Sequence, residues 1–151
     1  MRLCPGDGLS LGRRRYGNSR PARRTVTFNG VPVKVEIEPG ETRSGVDERG
    51  RPWSHEYRYA YGEIPSSRSP ADGDGVDVYL GPDLSAPMVY VVHQVHSDGT
   101  YDEDKVMLGF PSEGEAVLAF KQHGASWAFG TMDILTWDQF RNGYLVSNRR
   151  I

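Results

Sequence analysis

Glycine and proline punctuate this chain so densely that long regular elements have little room. The 151 residues hold 18 glycines and 10 prolines, a share that predicts short strands joined by many turns and argues against a helical bundle. Thr25-Val26-Thr27-Phe28 and Val31 to Ile37 alternate apolar and polar residues on either side of Asn29-Gly30. That dipeptide tolerates the positive φ of a tight turn, so the two runs read as a hairpin. Pro32 predicts an edge position or a neighbouring bulge for the second run. Residues 39–52 are rich in turn formers, and an aromatic run from Trp53 to Tyr61 follows. Val76 to Leu80, Met88 to Val95 and Lys105 to Phe110 read as further strands, with Ser97-Asp98-Gly99 turning between the last two. Helix starts come late. Ser112 with Glu115, and Thr136 with Gln139, fit the capping box, and Gly124 is a suitable stop for the first helix. Strands first and helices last predict an α+β domain, a small barrel with helices packed outside it.

Charge divides the chain in two. Residues 1–24 carry seven arginines against one acid, Asp7, whereas the remainder holds 11 basic and 19 acidic residues. A Gly/Ser/Pro/Arg-rich leader of this kind reads as a flexible arm over residues 1–24, with the folded domain spanning 25–151. Nucleic acid or another anionic partner would meet the chain through that arm alone; a solvated extension is the plainer alternative. The single Cys4 excludes an internal disulfide and a cysteine-built zinc site. No run approaches the ~18 apolar residues of a membrane-spanning helix. The arginines near the start precede no apolar segment, which argues against a secretory signal and makes cytoplasmic residence the expectation.

The chemistry concentrates in one window. From Ser69 to Asp104 there is no Lys or Arg, yet eight acids: Asp72, Asp74, Asp77, Asp83, Asp98, Asp102, Glu103 and Asp104. Carboxylates crowded without cations repel one another unless something positive joins them, and Asp77→Asn is expected to relieve that repulsion. The tightest group is Asp72-Gly73-Asp74-Gly75-Val76-Asp77, which runs into a strand. Glycines between the acids let the backbone turn tightly, so that several oxygen donors can converge. Oxygen donors without nitrogen or sulfur suit Mg2+, Mn2+ or Ca2+. The spacing does not fit an EF-hand, whose sixth-position glycine would fall on Asp77, and an acidic turn remains the bland alternative. The second group, Asp98 to Lys105, straddles a hairpin and would bring more carboxylates to the first, as a two-metal site requires. Lys105 ends the acidic run, with Arg43, Arg49, Arg51 and Lys121 outside it. Acids for metal beside Arg, Lys and Tyr for phosphate form the set expected of metal-assisted phosphoryl hydrolysis.

Asp72-Gly73-Asp74-Gly75-Val76-Asp77-Val78 resembles the D-G-D-P-x-D-V motif of the soluble inorganic pyrophosphatases. Ile37-Glu38-Pro39-Gly40 resembles the glutamate-proline segment of that family, Arg43 falls at its phosphate-binding lysine and Arg51 at its phosphate arginine. Tyr61-Gly62 matches its Tyr-Gly pair; Asp98, then Asp102 or Glu103, then Lys105 match its later acid-acid-lysine set; Phe120-Lys121 with Trp127 resembles its Tyr-Lys pair and nearby tryptophan. The likeness spans roughly residues 33–127, and the compact versions carried by phage and mobile-element proteins look most similar. Gly75 stands where the family has proline, Phe120 where it has tyrosine and Arg43 where it has lysine. The resemblance implies a five-stranded OB-like barrel and Mg2+-dependent hydrolysis of pyrophosphate, in a cytoplasm that would be the host's for a phage-borne member.

Under that reading Asp72, Asp77 and Asp98 hold metal, Mg2+ first and Mn2+ second, with Asp102 or Glu103 assisting. Asp74 is the general base, and Arg43, Arg51, Tyr61, Lys105 and Lys121 hold the phosphates. Glu36 and Glu38 alternate with apolar neighbours, and Glu38, beside the Pro-Gly turn, is the choice for an outlying carboxylate of the metal site. His93 and His96 fall on opposite faces of a strand without metal-ligand spacing, and with His55 and His123 they read as structural. Two further functions stay open: a module that binds phosphate, a nucleotide or a partner without turnover, and a hydrolase of another phosphoanhydride. The oligomeric state also stays open, a homo-oligomer included.

Overall fold

The computed structural model describes residues 23–65 and 75–147; residues 1–22, most of the arginine-rich arm, and Asp72 and Asp74 of the acidic motif lie outside them. The first hairpin forms as its turn chemistry demands. Strands β1 (Arg24–Phe28) and β2 (Val31–Ile37) pair antiparallel across Asn29 and Gly30, whose φ values are 47° and 81°. Positive φ at both central residues gives the strands the twist they need to stay paired. The strand starts at Arg24, so the last two arginines of the expected arm join the fold: Arg23 reaches Glu41 at 2.6 Å and Arg24 reaches Glu38 at 2.8 Å.

Next come β3 (Thr42–Val46), β4 (Pro52–Glu56), β5 (Ala60–Ile64), β6 (Val76–Leu80), β7 (Met88–Val95) and β8 (Tyr101–Leu108). Helix α1 (Glu113–Gln122) follows, then a single 3-10 turn (Ser126–Ala128) and β9 (Phe129–Thr136). The chain closes with α2 (Trp137–Gln139), a wide turn (Phe140–Tyr144) and α3 (Leu145–Ser147). Both helix starts carry the expected caps: Ser112 accepts from the Glu115 amide, and Thr136 and Gln139 form a complete capping box.

The architecture is mostly β with a few late helices, but the five-stranded barrel gives way to a wider arrangement. A mixed sheet of seven strands runs β1-β2-β5-β6-β8-β7-β9, and β3 and β4 form a separate two-stranded sheet. The extra strands are β1 and β9 at the two ends, and no closed five-stranded barrel is shown among the described residues. Nor is β2 an edge strand. Pro32 lies outside the β2–β5 register, which begins at Lys34, so its missing N–H leaves no gap in that ladder.

Each face of the sheet has its own apolar cluster. Val33, Val35, Val78, Val91 and Val106 pack on one face, under Phe140. Ile37, Tyr79, Val92 and Met107 pack on the other, where α1 contributes Ala116 and Phe120. Strands β6, β7 and β8 are therefore buried on both faces, which is why they read as nearly continuous apolar runs. On the Phe140 face the C-terminal segment is tied across the sheet by three hydrogen bonds. Arg141 donates to the Asn29 carbonyl at 3.2 Å, Trp137 to the Ala86 carbonyl at 2.8 Å and the Tyr144 hydroxyl to Asp104 at 2.7 Å.

Asp104 is buried and serves as the hub of that last tie. Its carboxylate also accepts from Tyr101 at 2.9 Å and meets His93 Nδ1 at 2.7 Å, while His93 Nε2 meets Asp133 on β9 at 3.0 Å. Burial opposes charge on His93, but the hydrogen bonds to Asp133 and Asp104 outweigh it and hold the imidazole above its ordinary value. A raised folded-state value means a contribution that is complete below the unfolded value, near 6.5, and lost as pH rises through the folded one. His93→Gln should therefore lower the melting temperature more at pH 6 than at pH 9. Equal losses at both would show that the imidazolium is not the species holding β7, β8 and β9 together.

Candidate functional site

One line of residues crosses the middle of the sheet. The register pairs Lys34 of β2 with Glu63 of β5, Glu63 with Asp77 of β6, and Asp77 with Lys105 of β8. Residues directly opposite share a face, so these four charges lie on one side of the sheet. The adjacent line on that side is apolar and aromatic: Ile37, Tyr61, Tyr79, Met107 and Tyr90. A polar row is thus embedded against an aromatic one.

Lys105 is the centre of the row. Its ammonium donates to Asp77 Oδ2 at 2.8 Å and to the Tyr61 hydroxyl at 2.8 Å, and pairs with Glu103 Oε2 at 2.9 Å. It also lies 5.3 Å from the centre of the Tyr61 ring. The side chain is only 8% exposed. Burial alone would lower Lys105, but the Asp77 and Glu103 carboxylates outweigh it and hold the ammonium charged, above its ordinary value. Burial raises the Asp77 carboxyl against the pull of Lys105. Burial, and then the Asp77 charge, also raises Tyr61, so its hydroxyl keeps its proton.

A bulge decides which acids of β8 join this face. Gln94 pairs with Glu103 and Val95 with Tyr101, leaving Asp102 as an extra residue. An extra residue turns the strand, so Asp102 and Glu103 are not sent to opposite faces as neighbours in a regular strand would be. Asp102 accepts from Gln94 at 3.0 Å, the residue standing opposite Glu103. Tyr101 turns the other way and reaches Asp104 behind the sheet. A second bulge occurs in β2, where Glu36 is the extra residue between Val35 and Ile37. Val35 faces one apolar cluster and Ile37 the other. Glu36 is half-buried at the bulge itself. Glu38 is turned to Arg24, whose hydrogen bonds hold its carboxyl below the ordinary range.

The remaining residues singled out in the sequence lie around this centre without converging on it. Asp98 stays exposed in the β7–β8 turn, its carboxylate held by the amide and hydroxyl of Thr100 at 2.9 and 2.6 Å. Arg43 is half-buried in β3, 3.7 Å from Glu41, and Arg51 is exposed at the start of β4. Lys121 is exposed on α1 with its ammonium over the Phe129 ring at 5.3 Å, and Phe120 is buried against the same ring. The β3–β4 hairpin that carries both arginines is fastened at its tip. Glu48 accepts from His96 at 2.9 Å and from the Ser97 amide, and Arg49 stacks over Trp127 at 4.6 Å. His123 is structural, accepting from the Arg58 amide at 2.9 Å and donating to the Ala119 carbonyl at 2.7 Å. Gln94, which holds Asp102, carried no motif signal, because its role follows from the bulge opposite it.

Among the described residues no three His, Cys, Asp or Glu side chains form a metal-binding group. Asp77 and Glu103 nevertheless converge on one ammonium, and both offer hard carboxylate oxygens. The donor set fits a hard divalent cation and not a soft one.

Fold and site together define an α+β protein with a buried lysine–carboxylate–tyrosine centre on a mixed sheet, a chemistry suited to phosphate. The family model described as Inorganic Pyrophosphatase matches residues 14–143. The chain belongs to that family. No curated protein and no solved structure matches it significantly.

Lys105 also bears on the expectation for Asp77. Burial first and the Glu103 charge after it still hold the Asp77 carboxyl above its ordinary value, so the ammonium offsets only part of the repulsion. Lys105→Met should cost about 3 kcal/mol in urea unfolding without divalent cations, since it leaves two half-buried carboxylates without their cation. Adding Asp77→Asn to that variant should return part of the loss. A cost below about 1 kcal/mol, the range of a surface pair, would show that Lys105 does not organise the row.

Proposed function

We propose that the chain hydrolyses inorganic pyrophosphate to two phosphates in a Mg2+-dependent reaction. The observation that carries this reading is the Lys105 ammonium held between Asp77, Glu103 and Tyr61 in a member of the pyrophosphatase family. Asp77 and Glu103, with Asp102 beside them and with Asp72 and Asp98, would hold the cation. When bound, Mg2+ would neutralise phosphate oxygens and lower the pKa of a water molecule. Mn2+ offers the same preference for oxygen donors.

The chain's own groups divide the remaining work. Asp74 is the base that takes a proton from the attacking water. The water oxygen forms a bond to one phosphorus while the bridging P–O bond breaks, its electron pair leaving with the second phosphate. Lys105 supplies a fixed positive charge where negative charge grows on the phosphate oxygens, and Tyr61, kept protonated, donates a hydrogen bond there. Arg43, Arg51 and Lys121 hold the outer oxygens of the substrate. Phe120 has no hydroxyl to add and is buried in the apolar cluster. That absence favours a second reading, in which the site binds phosphate or another phosphoanhydride without turning over pyrophosphate.

Phosphate release from pyrophosphate, with and without Mg2+, separates the two. In the first reading Mg2+ at 100 times its dissociation constant stabilises the wild type by about 2.7 kcal/mol, seen as a raised melting temperature. Asp77→Asn should cut hydrolysis about 100-fold, and the metal-free variant should keep or gain stability, because burial and the Glu103 charge disfavour the Asp77 carboxylate. Binding of pyrophosphate without phosphate release would support the second reading. A fully active Asp77→Asn would remove Asp77 from the cation set.

A further inference from the structure

Glu63 stands directly opposite Asp77 in the β5–β6 register, on the face that carries Lys105. Two like charges facing across a ladder disfavour each other. Glu63 is turned toward Gly75, two residues ahead of Asp77 in the chain. A Cβ built on Gly75 would lie 2.8 Å from Glu63 Cδ and 3.0 Å from Oε1 and from the Ile64 carbonyl oxygen. Gly75 is buried, and its φ lies outside the left-handed region that calls for glycine. Its backbone would accept a side chain; the space would not, because the Glu63 carboxyl and the Ile64 carbonyl oxygen crowd it.

We infer that Glu63 and Gly75 are a matched pair and that Glu63 is a positioning residue for the cation site at Asp77. The carboxylate adds negative charge one strand from Asp77 and braces the chain entering β6. Gly75 is the residue that leaves room for it. The inference rests on the metal-dependent reading above and deepens it. It also gives a reason for the departure at 75 from the family's proline, whose ring would compete for the same volume.

Four variants test the pair: Glu63→Gln, Glu63→Ala, Gly75→Ala and Glu63→Ala/Gly75→Ala. In Gly75→Ala the new methyl pushes aside the far end of a flexible side chain, so the fold should survive while the carboxylate is displaced. Each is titrated with Mg2+ alone, reading the melting temperature, and then with pyrophosphate, reading phosphate release. Glu63→Gln and Gly75→Ala should each raise the half-saturating Mg2+ concentration about 10-fold, with most of the lost rate recovered at high Mg2+. The double variant should lose less than the sum of Glu63→Ala and Gly75→Ala, since the methyl at 75 then meets only the Ile64 carbonyl oxygen at 3.0 Å. Wild-type Mg2+ dependence in Glu63→Gln, or effects that simply add in the double variant, would overturn the inference. So would a wild type whose melting temperature ignores Mg2+. A wild type that shifts with Mg2+ yet releases no phosphate overturns the hydrolase reading only, and the melting titrations still decide the pair.

Discussion

Lys105 carries an ammonium out of water, and nearly every feature around it answers that cost. A buried charge is tolerated only when paired and hydrogen-bonded. Asp77, Glu103 and Tyr61 supply those partners within 2.9 Å. Bringing Asp77 beside Lys105 requires β6 and β8 to be neighbours, and they pair in parallel, the one parallel contact in a sheet that is otherwise antiparallel among the described strands. Parallel neighbours need a crossover rather than a tight turn. Here the chain leaves β6, runs up β7 and returns as β8 between the two. The sheet order and the ion pair are one constraint seen at two scales.

Strand β8 shows how a short sequence serves two faces. Glu103, Lys105 and Met107 look toward the aromatic line, while Asp104, Val106 and Leu108 look toward the C-terminal segment. Asp104 therefore belongs to a different network from its neighbours on either side. Its three donors, His93, Tyr101 and Tyr144, come from β7, β8 and the wide C-terminal turn. The charged site is backed by this hydrogen-bonded layer, so the C-terminal segment reaches the strand bearing Glu103 and Lys105 from behind.

Local signals were legible in the sequence; distant ones were not. Asn29-Gly30, Ser112 and Thr136 act through backbone groups within three residues of themselves, and each forms the turn or cap its chemistry predicts. The hairpin β3–β4 was hidden in a turn-rich stretch. The Trp53 ring lies against Gly45 inside it, and its support from elsewhere comes at the tip, where Glu48 meets His96 and Arg49 meets Trp127. Strand β9 lacks clean alternation because it is an edge strand, exposed along much of its length. The two bulges, at Glu36 and Asp102, break the period of two on which any reading of faces depends. Glu38, chosen for its place beside the Pro-Gly turn, lies just past β2 and pairs with Arg24.

The acidic window was read as carboxylates without partners, yet its described members have them. Asp83 is held by Ser85, Asp98 by Thr100, Asp102 by Gln94, and Asp104 by two tyrosines and a histidine. Hydroxyl and amide donors leave no charge signature in a sequence, so a count of Lys and Arg misses them. Among its described members only Asp77 and Glu103 take a lysine or arginine, and it is Lys105, the first residue beyond the window. Across the row the charges at 34, 63, 77 and 105 run plus, minus, minus, plus. The row is thus self-compensated, two cations against two carboxylates. Glu103 and Asp102 then tip the balance to negative on the same face. A divalent cation bound as proposed would meet a site whose own lysine already holds two carboxylates in convergence, and the residual charge to attract it would come from the acids brought round by the β8 bulge.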